Sequence, residues 1–120
     1  MIVLLDTDIL IDVALDRHPH AAYSSSILDS AHAGLIKAWL AWHSISNFYY
    51  IVSSGNQHKL AIGFINELLQ FVRIAETRTA DAIYATKLDV PDFKDALQIA
   101  AALSCKARYI VTRNMRHYKK

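Results

Sequence analysis

The sequence predicts an α/β protein, a three-layer α/β/α sandwich with a central parallel sheet of about four to five strands. Short apolar runs such as Ile2–Leu5 alternate along the chain with longer segments of helical character. This alternation is typical of a parallel sheet with helices on both faces. The runs are continuous, as strands buried on both faces require. Only 3 Gly and 2 Pro are present in 120 residues, which favours helices over long loops.

Apolar runs indicate the strands, and residues typical of helix N-termini indicate where the helices begin. Asp8 is expected to cap the first helix and Pro19 to lie in the first turn of the second. Ser44 and Asn56 are expected to cap the third and fourth. The predicted strands are Ile2–Leu5, Ile36–Ala41, Phe71–Ile74 and Tyr109–Thr112. The predicted helices are Ile9–Leu15, His20–His32, Ser44–Ser53, Gln57–Gln70, Thr79–Leu88 and Asp92–Ser104.

The length and composition indicate one domain spanning residues 1–120, with enough apolar residues for a hydrophobic core. Hydrophobic residues make up 53% of the chain and charged residues 20%, which excludes a disordered segment. No apolar run reaches membrane-spanning length, and the run before Asp6 is too short for a signal peptide, so we expect no membrane partner and a cytoplasmic location. The single Cys105 fits a reducing compartment. The six histidines lack tight ligand spacing, which argues against a zinc site.

Charge is distributed unevenly along the chain. Residues 1–95 contain all 11 acidic residues but only 7 Lys or Arg, whereas residues 96–120 contain 6 Lys or Arg and no acid. A basic surface close to an acidic cluster suits a polyanion held against a cation-binding site. A solvated basic tail explains the same charge distribution and, on charge alone, is the favoured interpretation.

Oxygen-bearing side chains recur at the predicted carboxyl ends of the strands, where open parallel sheets bind ligands. Hard cations such as Mg²⁺ and Mn²⁺ prefer carboxylate, carbonyl and water oxygens, and magnesium takes only one or two carboxylates from protein. The sequence therefore predicts a divalent-cation site at this edge. The residues that map to it are Asp6, Ser46, Asn47, Asp92, Asp95, Thr112 and Asn114.

Several of these acids also have ordinary structural explanations. Asp8 and Asp92 are good helix caps, and Asp95 can complete a capping box with Asp92. Asp12 is expected to face solvent. Asp6 is harder to explain in this way, because a carboxylate directly after four apolar residues of a central strand has little structural purpose.

Four segments of the chain, in order and spacing, resemble the motifs of the PIN-domain family, in particular the small VapC-type toxins. LLDTDILID (Leu4–Asp12) is similar to the first motif, and HSISNFYYIV (His43–Val52) to the second. PDFKDALQIAAA (Pro91–Ala102) resembles the third and most specific motif. IVTRNMRHY (Ile110–Tyr118) resembles the last. Together the four motifs cover nearly the whole chain.

The resemblance implies a Mg²⁺- or Mn²⁺-dependent endoribonuclease that hydrolyses RNA. It further implies a homodimer and, for a toxin, a cognate antitoxin protein that blocks the site. Asp6 and Asp95 match the family's metal-binding aspartates, and Asp92, Asp8, Asn47 and Asn114 would assist. Thr112 and Ser46 would orient ligands. The residues expected to hold RNA phosphates are Arg113, Arg116, Lys119 and Lys120.

Two other functions are compatible with the sequence. Asn47 replaces a glutamate of the second motif, and Asn114 likewise adds no negative charge, so a catalytically weak PIN-like module that binds RNA or a protein is the first alternative. The second is a haloacid-dehalogenase-like phosphatase with Asp6 as nucleophile, because Asp6-Thr7-Asp8 resembles that family's D-x-D opening. It is less favoured, since the predicted strand Phe71–Ile74 ends without a clear Thr or Ser.

Overall fold

The computed structural model describes residues 1–112, which form four strands and six helices. The predicted α/β architecture is confirmed, and the strand count is the lower of the two expected. No helix in this part of the chain is long and apolar enough to cross a membrane. In chain order the elements are β1 (Ile2–Leu5), α1 (Thr7–Ala14), α2 (Ala21–His32), β2 (Lys37–Leu40), α3 (Trp42–Val52), α4 (His58–Leu68), β3 (Val72–Ile74), α5 (Thr79–Thr86), α6 (Phe93–Ser104) and β4 (Tyr109–Val111).

The four described strands form one parallel sheet in the order β3-β2-β1-β4. Val3 of β1 lies beside Ala38 of β2 on one side and Tyr109 of β4 on the other. In chain order, β2 and then β3 are added on one side of β1, and β4 is added on its other side. The reversal creates a crevice at the carboxyl ends of β1 and β4, where ligands bind in open α/β sheets.

Each face of the sheet packs against its own set of helices. Successive side chains of β1 alternate between the faces: Val3 and Leu5 join the larger core with residues of α1 to α4. Leu4 faces the other side and packs with Ala101 and Ala102 of α6. Both faces are thus buried, which explains why the strand is a continuous apolar run.

Helix α6 is held closely on two sides by its small residues. Ala101 and Ala102 pack toward the sheet, while Ala96 and Ala100 pack with Ala85 of α5. Small side chains let neighbouring backbones approach closely, as the sequence predicts for this helix. The packing fixes the position of the α6 N-terminus relative to β1.

At three helices the predicted N-cap residue, Asp8, Ser44 or Asn56, is wrong. Helix α1 begins at Thr7, directly after the strand, so Asp6 occupies the N-cap position and Asp8 lies in the first turn. Helix α3 likewise begins two residues before the expected cap Ser44. Asn56 has a positive φ of 70° and belongs to the turn before α4, whose N-cap is Gln57. At α1 and α3 the strand leads straight into the helix, which needs no capping side chain.

The expectation that Asp12 faces solvent is wrong. Asp12 is 0% exposed, and its Oδ2 accepts a hydrogen bond from Ser24 Oγ at 3.1 Å. The bond joins α1 to α2 within the core. A buried carboxylate needs such donors, because removing it from water without hydrogen bonds is costly.

We expect Ser24→Ala to destabilise the fold by about 1.5–3 kcal/mol, the usual contribution of a hydrogen bond to a charged group. Ser26→Ala is the matched control, since Ser26 lies on the same helix and donates to the Ala22 carbonyl at an exposed position. Urea unfolding followed by circular dichroism gives both free energies. Equal stabilities of the two variants would contradict the role given to Ser24.

Candidate functional site

A polar pocket lies at the carboxyl ends of β1 and β4, where the strand order reverses. We call it the acid pocket. Three segments line it: Asp6 with the start of α1, one face of α3 along its length, and the first two turns of α6. Five residues predicted for the site meet there, namely Asp6, Asp8, Asn47, Asp92 and Asp95. The lining residues are Asp6, Thr7, Asp8, Ile11, His43, Asn47, Ile51, Asp92, Lys94, Asp95 and Gln98.

Asp6 is held in place by β4 through its backbone and its side chain. Its N–H donates to the Val111 carbonyl at 2.9 Å, which extends the β1–β4 ladder by one residue. The Thr112 hydroxyl donates to Asp6 Oδ2 at 2.7 Å. Thr112, which the sequence suggests as an orienting residue, therefore contacts one of the two carboxylate oxygens and restricts the rotation of that side chain.

Asp92 and Asp95 occupy the N-terminus of α6. Asp92 is the N-cap, and its Oδ1 accepts a hydrogen bond from the Lys94 N–H at 2.8 Å. Asp95 lies in the first turn and is only 7% exposed. Asp8 likewise lies in the first turn of α1. The positive ends of the α1 and α6 dipoles both face the pocket, which favours negative charge there.

Helix α3 presents different residues to the pocket and to its opposite side. His43, Asn47 and Ile51, spaced four apart along one helical face, line the acid pocket. Ser46 is exposed and lines an apolar groove with Tyr50 instead. Trp42, Ser46 and Tyr50 are spaced four apart on this other face, so the structure does not bring Ser46 to the site. The buried serine of this helix is Ser44.

Six further residues line the pocket that were not predicted for the site, and three of them, His43, Lys94 and Gln98, have nitrogen-bearing side chains. Two had a usable signal, because Lys94 neighbours Asp95 and His43 lies one turn before Asn47. The predicted residues Asn114, Arg113, Arg116, Lys119 and Lys120 lie outside the described residues. Lys94 is the one cationic lysine or arginine that lines the pocket within residues 1–112.

The donor set of the pocket suits a hard cation. Its polar lining is dominated by carboxylate and amide oxygens, the ligands that Mg²⁺ and Mn²⁺ prefer. Residues 1–112 contain no group of three or more His, Cys, Asp or Glu side chains already gathered as a metal cage. Magnesium itself takes only one or two carboxylates from protein and keeps several waters.

We expect Asp92 to contribute to stability as the cap of α6, whatever else it binds. Asp92→Ala should lower the free energy of unfolding by about 1 kcal/mol. Asp92→Asn should lower it by only a few tenths, since asparagine caps almost as well. Asp89→Ala, a change at an exposed position before the helix, is the control. If thermal and urea unfolding gave all three variants the same stability as the wild type, this role of Asp92 would be contradicted.

His43 should make stability depend on pH. Burial lowers its pKa from the usual 6.5, and the nearby Lys94 charge lowers the pKa further. As pH falls through 6.5, the unfolded chain binds a proton that folded His43 resists, so the free energy of unfolding decreases. We expect His43→Gln to reduce this decrease between about pH 7.5 and about pH 5.5. If the free energy of unfolding of the variant, measured with urea, depended on pH as it does in the wild type, His43 would not contribute to the pH dependence.

Comparison with known proteins confirms the predicted resemblance. Residues 2–116 match the sequence model of a family described as PIN domain. VapBC2 from Rickettsia felis, solved bound to a DNA fragment from its promoter, has a TM-score of 0.72 and 18% identity over 97% of this chain and 90% of that one. VapC20 from Mycobacterium tuberculosis, a sarcin-ricin loop cleaving toxin, has a TM-score of 0.76 and 11% identity over 97% and 92%. No curated protein matches the sequence. Because the family match extends over nearly the whole chain and the fold agrees, the chain belongs to the PIN-domain family.

Proposed function

We propose that this protein is a Mg²⁺- or Mn²⁺-dependent endoribonuclease. The observation that carries the proposal is the position of Asp6 and Asp95, which come from distant parts of the sequence and line the same pocket. The family and the activity described for VapC20 support it. The pocket also lies at the carboxyl ends of parallel strands, which is where open α/β sheets generally bind ligands.

The roles of the pocket residues follow from their positions. Asp6 and Asp95 would hold the ion, with Asp92, Asp8 and Asn47 assisting directly or through water. The bound ion would activate a water and neutralise charge on the phosphate. Thr112 fixes the orientation of the Asp6 carboxylate through its 2.7 Å bond. The half-buried His43, whose pKa is lowered, stays neutral at pH 7 and contributes no charge.

Binding of the RNA backbone needs positive charge beside the acids. Carboxylates repel a phosphodiester, so cations must balance them at the pocket edge. The exposed Lys94 lies next to Asp95 and lines the pocket, where its ammonium group can contact a phosphate. Arg113, Arg116, Lys119 and Lys120 would extend this basic surface along the substrate.

The proposal includes a protein partner, namely a cognate antitoxin, and a homodimer of this chain. VapBC2, a structure of the same fold, supports the antitoxin. The chain also has an exposed apolar surface between α3 and α4, where Trp42 and Tyr50 are 72% and 73% exposed. Exposed apolar patches of this kind mark protein interaction sites.

A second function, a catalytically weak module that binds RNA or a protein, is favoured by one observation. Asn47 lies in the pocket where it adds an oxygen but no negative charge. Metal affinity depends on the number of charged ligands, so an acid-poor site binds its ion less tightly. The two functions differ in whether the protein takes up Mn²⁺ and cuts RNA.

We expect Asp6→Asn and Asp95→Asn each to reduce RNA cleavage by about 100-fold or more in Mg²⁺ or Mn²⁺, because the loss of one ligand charge removes several kcal/mol of transition-state stabilisation. Circular dichroism should show both variants folded. Asp89→Asn is the matched control, since Asp89 is an exposed acid outside the pocket.

If both variants cleaved RNA at the wild-type rate, the assignment of the active site would be wrong. Isothermal titration with Mn²⁺ separates the two functions. Uptake of Mn²⁺ by the wild type but not by Asp6→Asn supports the nuclease. A wild type that binds no Mn²⁺ at millimolar concentration and cuts no RNA supports the weak module instead.

A further inference from the structure

Gln98 is a buried polar residue at the inner wall of the acid pocket. It lies one helical turn after Asp95 on α6 and is 2% exposed. Its amide contacts Ser44 of α3, with 3.0 Å between Nε2 and Oγ. Ser44 is fully buried and does not line the pocket. Gln98 thus joins α6 to α3 beneath the carboxylates.

In this orientation of the amide, one polar atom of Gln98 is left without a hydrogen bond. The Nε2 group donates to Ser44, and Oε1 is buried with no partner among residues 1–112. Buried carbonyl oxygens are nearly always hydrogen-bonded, so an orphaned one needs an explanation. Gln98 also lines a pocket with four aspartates, and a carbonyl oxygen close to carboxylate oxygens is electrostatically unfavourable because all of these atoms carry negative charge.

A half-turn of the amide removes both difficulties. Nitrogen and oxygen exchange places while the shape of the side chain stays the same. The Ser44 hydroxyl, which can donate as well as accept, then donates to Oε1. The Nε2 group faces the pocket, where carboxylates accept its hydrogens. Asp95 and Gln98 are three residues apart on one helix, so their side chains lie on the same face.

We propose that Gln98 is a positioning residue for Asp95. Its Nε2 donates a hydrogen bond to the Asp95 carboxylate, while the Ser44 hydroxyl holds Oε1 and fixes the amide. Asp6 is held in the same manner by the Thr112 hydroxyl, so each of the two principal carboxylates has a neutral donor of its own. The functional consequence rests on the proposed metal-dependent nuclease, in which such supporting bonds orient the metal ligands.

The orientation of the amide can be measured on the wild-type protein without metal. In a ¹⁵N-edited nuclear Overhauser experiment, the Nε2 protons of Gln98 should show cross-peaks to the Asp95 β-protons. Cross-peaks to the Ser44 β-protons alone would overturn the proposal. This measurement needs no variant, no ion and no RNA, so it is decided independently of the proposed function.

The consequence for metal binding is tested with two variants. Gln98→Met keeps the length of the side chain and removes the donor, and Ser44→Ala releases the amide. We expect each to weaken Mn²⁺ binding on the order of 10-fold in calorimetry. Gln70→Met and Ser26→Ala, which change exposed residues elsewhere, are the matched controls and should bind Mn²⁺ like the wild type.

These measurements distinguish the positioning role of Gln98 from the proposed nuclease function. If the wild type binds Mn²⁺ and both Gln98→Met and Ser44→Ala bind it equally well, the positioning role is overturned while the nuclease proposal stands. A purely structural role would lower the urea midpoint and leave the Mn²⁺ affinity unchanged, which also overturns it. If the wild type binds no Mn²⁺, the proposed function fails, and the cross-peaks alone decide whether Gln98 holds Asp95.

Discussion

The pairing of β4 with β1 is the constraint on which the rest of the structure depends. The last described strand lies beside the first, and the ladder continues past β1 to the Asp6 N–H, which donates to the Val111 carbonyl. One residue later Thr112 reaches the Asp6 carboxylate. Because β2 and β3 lie on the other side of β1, the loops on the two sides diverge and leave a crevice. The sheet order therefore determines where the acids can meet.

Gathering several carboxylates in one crevice is unfavourable by itself, and local structure offsets the repulsion. The N-termini of α1 and α6 point their positive dipole ends at the pocket. Asp92 uses one oxygen to cap α6, and Thr112 donates to Asp6. Helix capping and ligand binding are thus compatible roles for an aspartate, because a carboxylate has two oxygens and about four lone-pair positions. The same arrangement that stabilises the helix ends concentrates negative charge at the site.

The sequence predicts the strands, the helices and most of the pocket because these depend on local patterns. Continuous apolar runs indicate buried strands, and parallel topology places their carboxyl ends together. The helix starts of α1 and α3 are less predictable, because capping rules assume a side chain that hydrogen-bonds to the first turn, and the N-cap residues of these two helices make no such bond. Helical spacing along α3 places His43 in the acid pocket and Ser46 in the apolar groove. The Ser24 bond to Asp12 and the Ser44 contact with Gln98 join separate helices, and no local pattern encodes such contacts.

The position of β4 has a consequence for synthesis of the protein. Chains emerge from the ribosome N-terminus first and fold as their parts become available. Asp6 directly follows β1, but the strand that holds it, β4, comes after α6 in the chain. The growing polypeptide therefore carries its acids without the neighbour that orders them. Until β4 has been translated, Asp6 therefore lacks the hydrogen bond from Thr112, and this part of the site is not yet assembled.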